Sequence, residues 1–515
     1  MLVTGRLMLR SLRVASSSPS TPTLEEIAPN HHYPAGVAKV VLKKGKTQLF
    51  KDGSPMVYSG AVARVIGRPP PNTGDIVLVA DGTEKPIGWG FYNSTSMFRV
   101  RLMQQHDEIA LDPSSSLNAE KLLETRIAAA AMLRQNLGLP SAHTNAYRLV
   151  NSEGDRLSGL IVDVFGDLAV VASSAAWVQM YQHQIMDCLS RLNIIKRISW
   201  RPTVEILKEE GLDLSDLKKP DLIMPQTMVK VMENQISYLI SLDGQKTGFY
   251  ADQRENRCFL STISEGSRVL DICCYTGGFA LNAASGGALD VIGVDTSLPA
   301  LQLAKENVSL NGLDPRRISF LRQDATEFMK AAVSRNESWD IVILDPPKLA
   351  PRKKVLKSAS GMYRNLNYLA MQLTKRGGLL MTCSCSGAMT QSGLFFRILQ
   401  VFRDGDTIRV LITMSLNEVS SLIVQSMCAD CFRQNSKTTH TKNAVKDIDP
   451  PSGTFIQQQI YFSIIESSYL VSVGAASMAG RKITVVRQAG AACDHPIDPA
   501  YPEGEYLTNI LLRVL

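Results

Sequence analysis

Between Lys39 and Met103 the apolar residues fall in short runs separated by turn-forming residues. The segments AKVVLKK, AVARVIG, DIVLVAD, PIGWGFYN and MFRVRLM are set apart by Asp52-Gly53, Pro69-Pro70-Pro71 and Asp81-Gly82. Dense β-rich runs with this punctuation predict a small barrel or sandwich over 37–105. The spacing then turns helical in LNAEKLLETRIAAAAMLRQNLGL, which stops at Gly138 and Pro140. YRLVNSEGDRLSGLIVDVFGDLAVVASS predicts three strands, with turns at Glu153-Gly154-Asp155 and Gly166-Asp167. A helix over 176–192 and the run RISWRP complete a second, α+β unit over 106–231. From NQISYLISL onward, strands alternate with helices through SRVLDICC, DVIGVDTS, ISFLRQD, WDIVILDPP and LLMTCSCS, with a helix expected over LNYLAMQLTKRGG. Alternation with short connections predicts a doubly wound, Rossmann-like α/β domain over 232–515. Ligands of such sheets sit beyond the carboxyl ends of the strands.

A length of 515 residues suits about three domains. No apolar run is long enough to span a bilayer, which argues against an integral membrane protein. The net charge is +7, and Lys39 to Arg101 carries ten Lys/Arg against four acids. A basic module on an otherwise balanced chain suits a polyanionic partner, although an ordinary solvated surface has the same charge density. Nine cysteines without framework spacing suit a reducing compartment. Cys428 and Cys431 lack the second pair that a zinc site needs, so no metal is expected. Residues 1–36 include Arg6, Arg10, Arg13 and a hydroxyl- and proline-rich stretch, with no acid before Glu25. That is the pattern of an organelle transit peptide, chloroplast ahead of mitochondrion; without such a leader the expectation is cytoplasmic.

Four motifs carry chemistry, each at a strand tip. Asp271 to Phe279 (DICCYTGGF) runs from a strand into a glycine pair, Gly277 and Gly278, that opens a helix. Glycine permits close backbone approach, and the helix start offers N–H groups to an anion. With Tyr275 and Thr276 this turn is one wall of an expected nucleoside site; the dinucleotide G-x-G-x-x-G is absent. Asp295, 17 residues after Gly278, can accept from both hydroxyls of a ribose, and Asp324 is placed to meet an adenine amino group. Asp345-Pro346-Pro347-Lys348 follows the fourth strand, and the two prolines stiffen the loop behind the carboxylate. Cys383-Ser384-Cys385-Ser386-Gly387 follows the fifth. A thiolate adding to carbon-6 of a pyrimidine makes carbon-5 nucleophilic, which is covalent catalysis. Buried cysteine is also a common small hydrophobe, the role expected of Cys273 and Cys274.

Together GQKTGFYADQREN, CYTGGF, DPPK, SCSG and the terminal DHPIDPAYPEGEYLTNILLRV closely resemble the bacterial large-subunit rRNA 5-methylcytosine methyltransferase I type. The resemblance covers about Lys39 to Gln400 and Gly474 to Val514. It implies an N-terminal PUA-type RNA-binding domain, a central α+β domain and a class I methyltransferase domain using S-adenosyl-L-methionine. It implies Cys385 as nucleophile, Asp345 as the group positioning the target cytosine, and Gln253 as part of the donor pocket. The second cysteine that many RNA cytosine methyltransferases carry beside the fourth strand is missing from Asp345-Pro346-Pro347. Ribosomal RNA is the expected partner, with a homodimer as the expected form of any self-association.

One departure stands out. QSGLFFRILQ is expected to run as one helix into GAASMAGRKITVV, but 401–473 intervenes with polar, weakly patterned sequence. Long insertions of this kind are uncommon in compact domains. An aberrant splice product or a mispredicted exon is the expected origin, with a tolerated surface excursion as the alternative, and the former predicts poor packing of the split helix and the last two strands. Two alternatives follow: methylation of an exocyclic amine, for which a D-P-P loop suffices, and a non-catalytic RNA-binding or ribosome-assembly role.

Overall fold

The computed structural model describes residues 37–111, 116–212, 228–242, 244, 247–350, 355–393, 395, 399 and 475–515. The transit-peptide reading of 1–36, the Cys428–Cys431 pair and the insertion 401–473 lie outside them.

The N-terminal strands are β1 (Ala38–Leu42), β2 (Met56–Tyr58), β3 (Val62–Ile66), β4 (Ile76–Ala80), β5 (Pro86–Tyr92) and β6 (Phe98–Gln105). They form one sheet in the order β2-β6-β5-β4-β1-β3. Alternation along a strand sends successive side chains to opposite faces. Val77 and Val79 therefore join Val40, Phe50 and Val100 in one core. Leu78, Trp89, Phe91 and Met103 enter a second core with the helix Ala119–Asn136. Part of the positive charge read from the sequence is neutralised by ion pairs within this unit and with the next. Lys39 and Arg64 pair with Glu84, Lys51 pairs with Asp81, and buried Arg101 pairs with Glu210.

The second sheet holds β7 (Ala146–Asn151), β8 (Leu160–Phe165), β9 (Leu168–Ser173) and β10 (Arg197–Pro202) in the order β10-β9-β8-β7. The single helix expected over 176–192 is two, Ala176–Met180 and Gln182–Ser190. Tyr181 breaks it at φ −97°, ψ 24°. Its ring packs 4.8 Å from Phe91, which also stacks on Trp177 at 4.7 Å. Burying three aromatic rings there outweighs one continuous helix.

A hairpin of β11 (Met228–Glu233) and β12 (Ile236–Ser241) follows. The expected boundary at Val231 falls inside β11, whose Val229 and Val231 share a core with Phe165 of the second sheet and Leu260 of the next unit. The third sheet has β13 (Arg268–Ile272), β14 (Asp290–Asp295), β15 (Ile318–Arg322), β16 (Trp339–Leu344), β17 (Thr374–Ser384), β18 (Ile483–Ala489) and β19 (Thr508–Val514). Its order is β15-β14-β13-β16-β17-β19-β18, parallel from β15 to β17, with β19 antiparallel to both neighbours. The helix before β17 stops at Leu373, earlier than expected. The Thr374 hydroxyl bonds back to the Ala370 carbonyl at 2.8 Å, and Gly377 turns at φ +82°.

The expectation of poor packing after the insertion does not hold. β19 pairs with β17 from Leu379 to Ser384, and Phe395 and Leu399 share one apolar core with Ala475, Ala476, Ile510 and Leu512.

Candidate active site

The strand order reverses between β13 and β16, and a cavity of about 1230 Å³ opens there. Its floor is the turn after β13. Cys273, Tyr275 and Gly277 have positive φ (66°, 50° and 81°), so alternate residues curl the backbone as in an anion-binding nest. The turn is anchored on β14, because the N–H groups of Cys273 and Cys274 both donate to the Val294 carbonyl. The Tyr275 and Ser297 N–H groups donate to the two oxygens of Asp295, each at 2.9 Å. That carboxylate is thus fixed at the tip of β14 and lines the cavity.

Eight of the ten site residues read from the sequence line this cavity: Tyr275, Thr276, Gly278, Asp295, Asp324, Asp345, Gln253 and Cys385. Asp324 also caps the helix Ala325–Ser334, accepting from the Thr326 and Glu327 N–H groups. The other two sit behind the wall. Gly277 faces the Phe320 ring and Ala304. Asp271 is fully buried and accepts the Ala280 N–H at 3.0 Å. Burial first, then the Asp345 charge, pushes its carboxyl up to about 8. Its second oxygen has no partner among the described residues.

At the junction of β16 and β17 the loop carbonyl of Pro346 lies 4.0 Å from the Cys385 sulfur. Cys385 is half-buried, and its neighbours are pinned from behind. The Tyr363 hydroxyl lies 3.2 Å from both the Ser384 and Ser386 hydroxyls, and Ser386 accepts the Ala350 N–H. Burial pushes the thiols of Cys273, Cys274 and Cys383 up, which disfavours their thiolates. Cys383 is fully buried and receives a hydrogen bond from Asn509 at 3.1 Å. The Gln253 amide donates to Asp345 Oδ2 at 3.2 Å, so Gln253 touches the fourth-strand carboxylate.

Three further lining residues escaped the sequence reading. The Tyr250 ring meets the Tyr275 ring edge-on at 5.3 Å, and burial raises the Tyr250 hydroxyl. The Tyr506 hydroxyl donates to Asp252 at 2.7 Å. Tyr250 and Asp252 lie inside GQKTGFYADQREN, a segment whose distinctiveness was the one available signal. Tyr506 belongs to a wall, including Pro496, Tyr501 and Glu503, that follows the insertion. Buried Asp494 holds that wall in place through Arg254 (both bonds 2.9 Å) and the Arg148 N–H.

A carboxylate fixed at the tip of β14, a positive-φ turn at a helix start and a second carboxylate one strand over fit an adenosyl group. Among the described residues no cluster of three His, Cys, Asp or Glu could hold a metal, and no helix is long and apolar enough to cross a membrane.

Comparisons with known proteins agree with this geometry. Residues 223–404 match the S-adenosylmethionine-dependent methyltransferase model and 40–105 the PUA-like domain model. Two solved structures superpose with a TM-score of 0.62 at 18% identity, covering 92% of this chain and 99% of theirs. One is a candidate methyltransferase complexed with SAH, the other a candidate SAM-dependent methyltransferase from Streptococcus mutans. Ribosomal RNA large subunit methyltransferase I from Escherichia coli and from Alteromonas mediterranea are each 30% identical over 479 residues, 93% of this chain and 99% of theirs. S-adenosylmethionine is therefore the cofactor, and the chain belongs to the ribosomal RNA large subunit methyltransferase I family.

Proposed function

We propose that this cavity methylates carbon-5 of a cytosine in large-subunit ribosomal RNA through a covalent adduct with Cys385. The observation that carries the reading is the approach of the Cys385 thiol to the Asp345–Pro347 loop inside the cavity that also holds Asp295 and Asp324. S-adenosylmethionine supplies an electrophilic methyl group carried on a sulfonium. Tyr275, Thr276, Gly278, Asp295 and Asp324 are the residues to hold it. The Cys385 thiolate forms a bond to carbon-6, and the displaced π electrons make carbon-5 nucleophilic. Asp345 positions the ring through its amino and ring-nitrogen edge. Once carbon-5 has taken the methyl group, leaving S-adenosylhomocysteine, water takes the carbon-5 proton and the electrons of that bond expel the thiolate from carbon-6, restoring the ring. The PUA-like unit, with exposed Lys44, Lys46 and Lys85, supports an RNA substrate because each phosphate contact is a charge contact.

The test is mass spectrometry of nucleosides from rRNA treated with the protein and with Cys385→Ala. Carbon-methylated cytidine from the parent and none from the variant, with donor binding kept, is the expected result. Methylated adenosine or guanosine would instead establish the exocyclic-amine reaction.

A further inference from the structure

We propose that Arg487, on the edge strand β18, is a positioning residue that sets the hydrogen-bonding polarity at Asp345 through two buried amides. Arginine can only donate hydrogen bonds. Its guanidinium donates to Asn256 Oδ1 at 2.9 Å, so Asn256 must present its oxygen to β18 and its NH₂ inward. That NH₂ donates to Gln253 Oε1 at 2.8 Å and also to the Gly490 carbonyl at 3.2 Å. Gln253 is then left with its own NH₂ facing Asp345 Oδ2 at 3.2 Å. Asn256 is fully buried and Gln253 is 3% exposed, so solvent cannot supply the missing partner if either amide turns over.

Each link is directional. With Arg487 in place the chain ends in a donor aimed at the carboxylate. Without the Arg487 donors only the longer 3.2 Å bond to the Gly490 carbonyl holds Asn256 in that sense, and reversal of the two amides would present the Gln253 oxygen to Asp345. The guanidinium is itself fixed, lying over the Phe259 ring at 4.4 Å. The relay joins the catalytic loop to a strand on the far side of 401–473, and nothing in the motif pattern anticipates it. The inference rests on the reading that Asp345 positions the target base.

The experiment measures steady-state methylation of rRNA together with S-adenosylhomocysteine binding by calorimetry. Arg487→Met keeps an unbranched apolar side chain beside Phe259 but removes the donors. It should lower kcat roughly tenfold, the loss of one charge-assisted hydrogen bond. KM for RNA and the calorimetric Kd should change less than about twofold, and Arg487→Lys should restore most of kcat. In a Gln253→Ala background, Arg487→Met should have no further effect, because the relay is already cut. Asn256→Asp offers a second route, since it keeps an oxygen acceptor for Arg487 but removes the inward donor, and it too should lower kcat. Unchanged kcat in Arg487→Met, no recovery with lysine, or multiplying losses in the double variant would each overturn the relay. An active Asp345→Asn would overturn the underlying reading of Asp345. An inactive Asp345→Asn with a fully active Arg487→Met would remove the relay alone.

Discussion

Asp271→Asn will make the ligand-free protein more resistant to rising pH. The Asp271 carboxyl is fully buried beneath the turn after β13, where burial and Asp345 move its pKa from an ordinary 3.8 to about 8. Below the lower value both the folded and unfolded chains hold the proton, and the group's contribution is fully present. Between the two values only the folded chain holds it, so stability falls as pH rises, and the loss is complete above the folded pKa. At about 1.36 kcal/mol per pH unit, the interval from pH 6 to 8 costs about 2–3 kcal/mol. Relaxation around the ionised group lowers that figure. Asparagine cannot ionise, yet its carbonyl can still accept the Ala280 N–H that Asp271 now receives at 3.0 Å. Urea or thermal unfolding at pH 6, 7 and 8 should show parent and variant diverging steadily, the variant being the more stable at pH 8. Parallel pH curves would refute the claim that Asp271 is held protonated.

Deleting 401–473 places Phe395, Leu399, Ala475 and Ala476 at positions i, i+4, i+7 and i+8 of one helix, the stripe that buries a single face. The shortened chain should fold with a calorimetric midpoint equal to or above that of the full chain; a clearly lower midpoint would mean the insertion carries stability. Arg254→Ala removes the arginine partner of the buried Asp494 carboxylate, leaving His495 and the Arg148 N–H, and should cost up to about 3–5 kcal/mol at neutral pH. Against the cost of burial, His495 first and then Arg254 hold that carboxyl well below the ordinary range, so its contribution is present above about pH 4 and is lost as the pH falls. The gap between parent and Arg254→Ala should therefore narrow in acid, and a pH-independent gap would contradict the pairing.

The strand-tip carboxylates could be read from the sequence because a parallel sheet covered on both faces produces unbroken apolar runs that end abruptly in polar residues. Asp295, Asp324 and Asp345 stand at such ends, and all three line the cavity. Asp271 stands one residue before its strand's end, on the same face as core residue Val269, where it accepts the Ala280 N–H of the helix Gly278–Ser285. Pattern alone could not show that. The break at Tyr181 was equally hidden, since its cause is the Phe91 ring from a distant strand. The C-terminal wall brings Tyr506 to Asp252, 254 residues away in sequence, and no local periodicity encodes such a contact. Where an element's neighbours are close in sequence the reading succeeded, and where a long-range contact decides the geometry it did not.

The most direct test of Cys385 as the attacking group uses rRNA carrying 5-fluorocytidine, in which fluorine replaces the proton that must leave carbon-5. Incubated with S-adenosylmethionine, the parent protein should form an adduct with RNA that survives denaturing electrophoresis, with peptide mass spectrometry placing the nucleotide on Cys385. Cys385→Ala should form none while still binding S-adenosylhomocysteine. An adduct of the same yield in the variant, or none in a parent that methylates ordinary rRNA at cytosine, would contradict the account.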